Sequence, residues 1–243
     1  MQEILDWFQK DLVKSGQIAH SLIATSDIGS QKIIKYMREN PDSGYIFVVP
    51  TSSGDSIKLQ VLSDMRWKTI LAVYFNHKGA LIEWTHAHIV QTWSEFLYRL
   101  FKKIVTESLQ RGESFAIDSS IPLGAKINKV NQDNTEKSFT SFDRVTAPDK
   151  LKIIETLLKK SIPQEYKSKI EKHILVRNIF QHSDGIVRDI DVEKFDTKAI
   201  ILLDEGLKLK NFEAGNKLNI SIYELLHVRY DFHKAGESLL SKH

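Results

Sequence analysis

Apolar positions recur at helical spacing over the first forty residues, where Ile4, Leu5, Phe8, Leu12 and Val13 are followed by Ile33, Ile34 and Met37. A helical N terminus is expected, ended by the breaker Pro41-Asp42-Ser43-Gly44. Four short β-like runs come next: Tyr45 to Val49, Ile57 to Leu62, Thr69 to Phe75 and Leu81 to Trp84. Turn-like Ser52-Ser53-Gly54-Asp55 and Asn76-His77-Lys78-Gly79 separate them, which predicts a small antiparallel sheet.

The period then changes. His88 to Gly112 reads as a long amphipathic helix, with Trp93, Phe96, Leu97, Leu100, Phe101, Ile104 and Leu109 mostly on one stripe. Residues 113–148 lack a sustained helical period, and so long a stretch inside a domain reads as an insertion carrying a short hairpin. Pro148-Asp149 opens another helix with Leu151, Ile154, Leu157 and Leu158 on its apolar face. Pro163 opens the next, Gln164 to about His182, closed by Ser183-Asp184-Gly185. A β-like pair is expected around Val187 to Val192 and Leu207 to Phe212. Ser221 with Glu224 three residues on has the capping-box spacing for a final helix to about Leu240. The fold class is therefore α+β: a helix-and-sheet part over 1–85, then a helical bundle with a short β excursion over 86–243. No repeat of 20–50 residues is present.

Composition narrows the function classes. Across 243 residues, 34 Lys and Arg against 31 Asp and Glu leave a formal charge of +3, too mild to demand nucleic acid and compatible with it. The absence of cysteine excludes disulfides, Cys-ligated zinc and a cysteine nucleophile. Neither a signal-peptide pattern after Met1 nor an apolar run long enough for a membrane is seen, so a soluble, cytoplasmic protein is expected.

The helix from Gln164 carries the most informative side chains. With Ile170 at 0° and about 100° per residue, Ile174, Leu175, Val176, Ile179 and Phe180 fall at about 40°, 140°, 240°, 180° and 280°. Apolar residues thus point nearly all round, as on a covered helix. Arg177, Asn178 and His182 interrupt that ring at about 340°, 80° and 120°, and Asn178 and His182 are i,i+4 neighbours. Removing a guanidinium from water is costly without a compensating acceptor. Either Arg177 pairs with an internal acid while His182 caps the helix, or the two form an anion site with a titratable group beside it.

Arg177-Asn178-Ile179-Phe180-Gln181-His182, followed by Ser183-Asp184-Gly185-Ile186-Val187, resembles the Arg-x(4–6)-His motif and exit turn of HEPN (higher eukaryotes and prokaryotes nucleotide-binding) domains. Lys208-Leu209-Lys210 and Asn219-Ile220-Ser221 are similar to the usual closing segment, so the resemblance covers roughly 86–243. It implies a HEPN-like bundle and a metal-independent endoribonuclease that needs no cofactor and acts as a homodimer. Arg177 would hold the scissile phosphate, His182 would be general acid or base in attack by the ribose 2′-hydroxyl, and Asn178 would orient either. RNA is the implied partner, with an antitoxin or other regulatory protein typical of toxin and phage-defence members. A catalytically inactive RNA-binding or protein-interaction module of the same family is the alternative.

Asp184 is either a hydrogen-bond acceptor for His182 or plain turn chemistry. Lys167, Lys169 and Lys172, with Lys159 and Lys160, offer a basic rim for backbone phosphates. His86 and His88, alternating on an extended segment with His20 or His77 as a third ligand, give a metal alternative that lacks an acidic partner at ligand spacing. His227 and His233 do not share a face and read as surface or packing residues. Trp67, Trp84, Trp93, Tyr45, Tyr74 and Phe75 could stack on bases, although core packing explains them more simply. Phosphate-loop, dinucleotide-fold and nucleophile-elbow signatures are absent.

Overall fold

The structure, a computed structural model, describes residues 1–53, 56–113, 115–116, 129–193 and 198–240. Seven α-helices and three two-stranded antiparallel pairs are present among them, so the chain is a largely helical α+β protein. Helix α1 spans Gln2–Glu39, and the hairpin β1 (Gly44–Ser53) and β2 (Ser56–Arg66) leads into α2, Trp67–Gln110. The pair β3 (Phe115–Ala116) and β4 (Lys129–Val130) precedes a 3-10 turn at Gln132–Asn134, α3 (Thr135–Asp143) and α4 (Ala147–Leu158). Helix α5 (Gln164–Ser183), the short α6 (Asp189–Glu193), the pair β5 (Ile200–Leu203) and β6 (Leu209–Phe212), and α7 (Ile222–Leu240) complete the chain.

Two compact units result: Met1–Gln17 with Ile82–His243, and Ile18–Leu81. This differs from the division at 85/86 expected from sequence, since residues 1–17 pack with the C-terminal helices. The smaller unit holds the hairpin, whose register pairs Gly44 with Arg66 and Ser53 with Ser56 and shifts between Phe47 and Val48. In it the Tyr74 hydroxyl donates to Asp27 Oδ1 at 2.6 Å, and burial together with that carboxylate pushes the phenol pKa up to about 12.

The expected four-stranded sheet is corrected. The first two runs form the hairpin, but Thr69–Phe75 and Leu81–Trp84 belong to α2. Their burial is not alternating: Leu71 and Ile82 are buried while Val73, Phe75 and Trp84 are exposed. Ile82, His86, Ile89, Val90, Trp93, Phe96, Leu97 and Leu100 continue one helical stripe, so the period of 3.6 begins well before His88. The insertion near 113–148 likewise carries secondary structure among its described residues. A minimal strand pair is present, and α3 buries Ser138, Phe139 and Phe142, while residues 117–128 lie outside the described residues. The expected β-run at Val187–Val192 is instead mostly α6, and β5 supplies the true partner of β6.

The core of the larger unit is aromatic. Trp93 is fully buried among Phe8, Phe96 and Phe232, and Phe101 stacks on Phe142 at 4.1 Å. Each such side chain contributes about 1.5–3 kcal/mol on burial. Gly236 on α7 lets this packing close, because a Cβ there would meet the Phe8 ring at 2.8 Å.

Ser221 anchors the start of α7. Its hydroxyl accepts from the Glu224 amide at 3.0 Å and donates to the Leu203 carbonyl at 2.7 Å, tying β5 to the helix. The Glu224 side chain does not complete a capping box; it turns inward to accept from the Leu203 amide at 2.8 Å. Ser221→Ala is expected to cost about 1–2 kcal/mol of unfolding free energy, the loss of a cap plus a buried acceptor. Urea denaturation checks this, and an unchanged midpoint would contradict it.

Candidate functional site

Helix α5 is fixed at both ends. Pro163 stands at its N-cap, and at its C terminus Asp184 takes the left-handed conformation at φ 50° with Gly185 at φ 79°. The Gly185 amide donates back to the Ile179 carbonyl at 3.2 Å, a Schellman-type closure. Asp184 is thus a helix cap: it is exposed and makes no hydrogen bond with His182.

Burial around α5 corrects the expectation of a helix covered on every side. Ile170, His173, Leu175, Val176 and Ile179 are buried, whereas Glu171, Ile174, Arg177 and Asn178 are half-buried and His182 is exposed. The arc from Arg177 round to His182 is open. Its Arg177 and Asn178 part belongs to one wall of a groove of about 830 Å³, together with Gln91, Ser94 and Glu95 on α2 and residues of the segment Asp143 to Lys150. Glu171, Ile174, Leu175, Arg177 and Asn178 all line it.

Within the groove the Arg177 guanidinium donates to Asn178 Oδ1 at 3.1 Å and has no carboxylate partner among the described residues. An amide oxygen compensates part of its desolvation and leaves its net charge intact. His182 is outside the groove lining. It projects from the same face as Asn178, one turn further toward the C terminus, and is free of hydrogen bonds among the described residues.

Lys150 forms part of the groove wall. Its ammonium donates to Ser94 Oγ at 2.9 Å, with Asp143 Oδ1 at 3.6 Å. Burial pulls its pKa below the ordinary lysine value, against the opposing pull of Asp143.

The lysines expected as a basic rim are held elsewhere. Lys167 pairs with Glu155 at 2.8 Å, Lys169 with Glu165 at 2.7 Å and Asp231 at 3.1 Å, and Lys172 with Glu224 at 2.9 Å. Paired with carboxylates, they offer no net charge to a phosphate backbone. Lys159 is exposed as the left-handed cap of α4.

The metal arrangement around His86 and His88 does not form, because helical geometry turns these positions to opposite sides of α2. His86 is fully buried, while His88 is half exposed and sits 3.2 Å from Asp11. Among the described residues no group of three His, Asp or Glu side chains is placed to hold a metal ion, and the His77 side chain lies outside them. Of the aromatic residues, Trp93 is core, Trp84 is exposed and Tyr45 packs against Trp67 at 5.7 Å. His227 is exposed, and His233 pairs with Glu237 at 3.0 Å.

One polar cluster had no counterpart in the sequence reading. His86 Nε2 lies 3.3 Å from His173 Nδ1, and His173 Nε2 lies 3.4 Å from Glu224 Oε1, all three side chains being buried. A carboxylate only accepts, which favours the Nε2–H form of His173 and makes its Nδ1 the acceptor for His86. His86 Nδ1 is then a bare lone pair, and it has no partner. Burial, followed by the neighbouring Lys172, lowers the His86 pKa to about 3 and holds that of His173 well below the ordinary imidazole value. The spacing Ile82-His86-Ile89-Trp93 on α2 was the available signal for His86, and its His173 partner sits one turn before Arg177.

No helix among the described residues is long and apolar enough to cross a membrane. No protein-family model, curated protein or solved structure matches the chain.

Proposed function

We propose that the protein is a metal-independent endoribonuclease of HEPN type, in which Arg177 binds the scissile phosphate and His182 moves the proton. The observation that carries this reading is a guanidinium in an open groove with no carboxylate partner among the described residues. Such a group suits a phosphate, which it grips with two hydrogen bonds. Asn178 accepts a hydrogen bond from the guanidinium, and His182 stands one turn beyond Asn178 on the same face of α5, outside the groove lining.

In the reaction the ribose 2′-oxygen attacks phosphorus, its proton passes to an imidazole, and the bond to the 5′-oxygen breaks. The departing 5′-oxygen takes a proton, leaving a 2′,3′-cyclic phosphate. One His182 serves one transfer, and a second copy of the chain supplies the other, which is why a homodimer is part of the proposal. Charge developing on the phosphoryl oxygens falls on Arg177.

A second reading is an RNA-binding or protein-interaction module without catalysis, and one observation favours its protein-interaction form: Lys167, Lys169 and Lys172 are neutralised by carboxylates. Incubation of single-stranded RNA with the protein in excess EDTA separates the two. Cleavage with a dimeric solution mass is expected; binding without cleavage would establish the second reading, and cleavage only after addition of a divalent metal would contradict both.

A further inference from the structure

The groove carries an unpaired carboxylate as well as an unpaired guanidinium. Glu171 lines it from α5, is half-buried, and makes no hydrogen bond or ion pair with any described residue. The other acids in the wall are engaged: Glu95 bonds Arg99 at 2.9 Å, and Asp143 faces Lys150. Glu171 stands six residues before Arg177, about 9 Å along the helix axis and about 120° round it, so the two flank Ile174 on the α5 side of the groove. The groove lining also includes apolar Ile174 and Leu175 on α5 with Val90 and Pro148. A flat base can lie against such a surface while its edge reaches a polar group.

We propose that Glu171 reads the base adjoining the bound phosphate and selects guanine. The inference rests on the ribonuclease reading of the same groove. A carboxylate accepts two parallel hydrogen bonds, and guanine is the base whose Watson–Crick edge presents two adjacent donors, N1–H and the N2 amino group. Uracil presents one donor between two carbonyls, and adenine and cytosine present an amino group beside a bare ring nitrogen, so each sets an acceptor against the carboxylate. A site built to accept such donors discriminates strongly against ligands that lack them. An unpaired carboxylate near the phosphate site, which would weaken simple anion binding, is thereby explained as a specificity group.

The test uses the full chain and its Glu171→Gln variant, with short single-stranded RNAs differing only in the base beside the cleaved bond: guanine, inosine, adenine or uracil. Binding of guanosine and uridine 3′-monophosphates is measured in parallel. Wild type is expected to cleave beside guanine about 10–100-fold more efficiently than beside uracil, with inosine, which lacks the N2 amino group, in between. Glu171→Gln is expected to bring all four within a few-fold of one another, with the guanine substrate losing most relative to the others. Wild type without base preference, a variant that retains it, or a variant equally impaired at every base would each overturn the assignment. Preference for the guanosine nucleotide in binding with no RNA cleavage would overturn the ribonuclease reading and leave Glu171 as a base-reading group. Binding of neither nucleotide, with no cleavage, would overturn both.

Discussion

Arg177→Ala is expected to lower kcat/KM for RNA cleavage by about 10²–10³-fold, the usual loss when one preorganised donor to a developing oxyanion is removed. His182→Ala is expected to lower it by about 10²–10⁴-fold, the range for a positioned general acid or base. Both losses should come without a loss of fold. Arg177 is half-buried with only Asn178 as a partner, and His182 is exposed, so neither change strands a buried counter-charge. Unfolding free energies should remain within about 0.5 kcal/mol of wild type, as for surface substitutions generally. Had Arg177 been locked to an internal acid, its removal would instead cost about 3–5 kcal/mol. Steady-state cleavage together with thermal unfolding of the same samples decides the matter. Full activity in either variant, or loss of activity accompanied by unfolding, would contradict the assignment.

Acid should destabilise this protein over a defined window. His86 and His173 are buried and neutral, faced by Lys172 and Lys169 from α5 and by His227 and Glu224 from α7. In the unfolded chain each imidazole takes a proton near pH 6.5, whereas in the folded protein His86 resists protonation down to about 3 and His173 is also strongly depressed. Below pH 6.5 the unfolded state therefore binds more protons, so stability falls as pH falls and is flat above about 7. The slope approaches about 1.4 kcal/mol per pH unit for His86, a loss of roughly 2 kcal/mol between pH 7 and pH 5, and His173 adds to it in the same direction. Urea denaturation across pH 5–8 measures it, and His86→Leu should make the slope shallower. A stability constant from pH 7 to pH 5 would show that the cluster takes up protons without cost and would refute this account of it.

Much of the larger unit was legible because its signals are local. Pro163, the Asp184-Gly185 turn and the Ser221 cap bracket α5 and α7 by backbone chemistry that needs no distant partner. The first half of α2 was not legible. Its run from Thr69 to Phe75 is short, apolar and β-branched, a pattern that does not separate strand from helix without knowing which side is buried. The groove was half legible. Helical angles brought Arg177, Asn178 and His182 to one arc, but whether that arc was covered depended on α2 and the α3–α4 segment, which pack against α5 from far away in sequence. Glu224 shows the same limit: its spacing from Ser221 matches a local cap, yet its carboxylate bonds Leu203 and Lys172 instead. The lysines of α5 read as a free basic face because, Glu165 apart, their acids Glu155, Asp231 and Glu224 lie on other helices.

The central claim is phosphodiester transfer at Arg177 and His182 without a metal, and the chemistry of the cut ends tests it most directly. RNA fragments produced by the wild-type protein in excess EDTA should be resolved by mass spectrometry. The account predicts a 2′,3′-cyclic phosphate on one fragment and a free 5′-hydroxyl on the other. Fragments ending in a 3′-hydroxyl and a 5′-phosphate, or RNA left intact under these conditions, would contradict it.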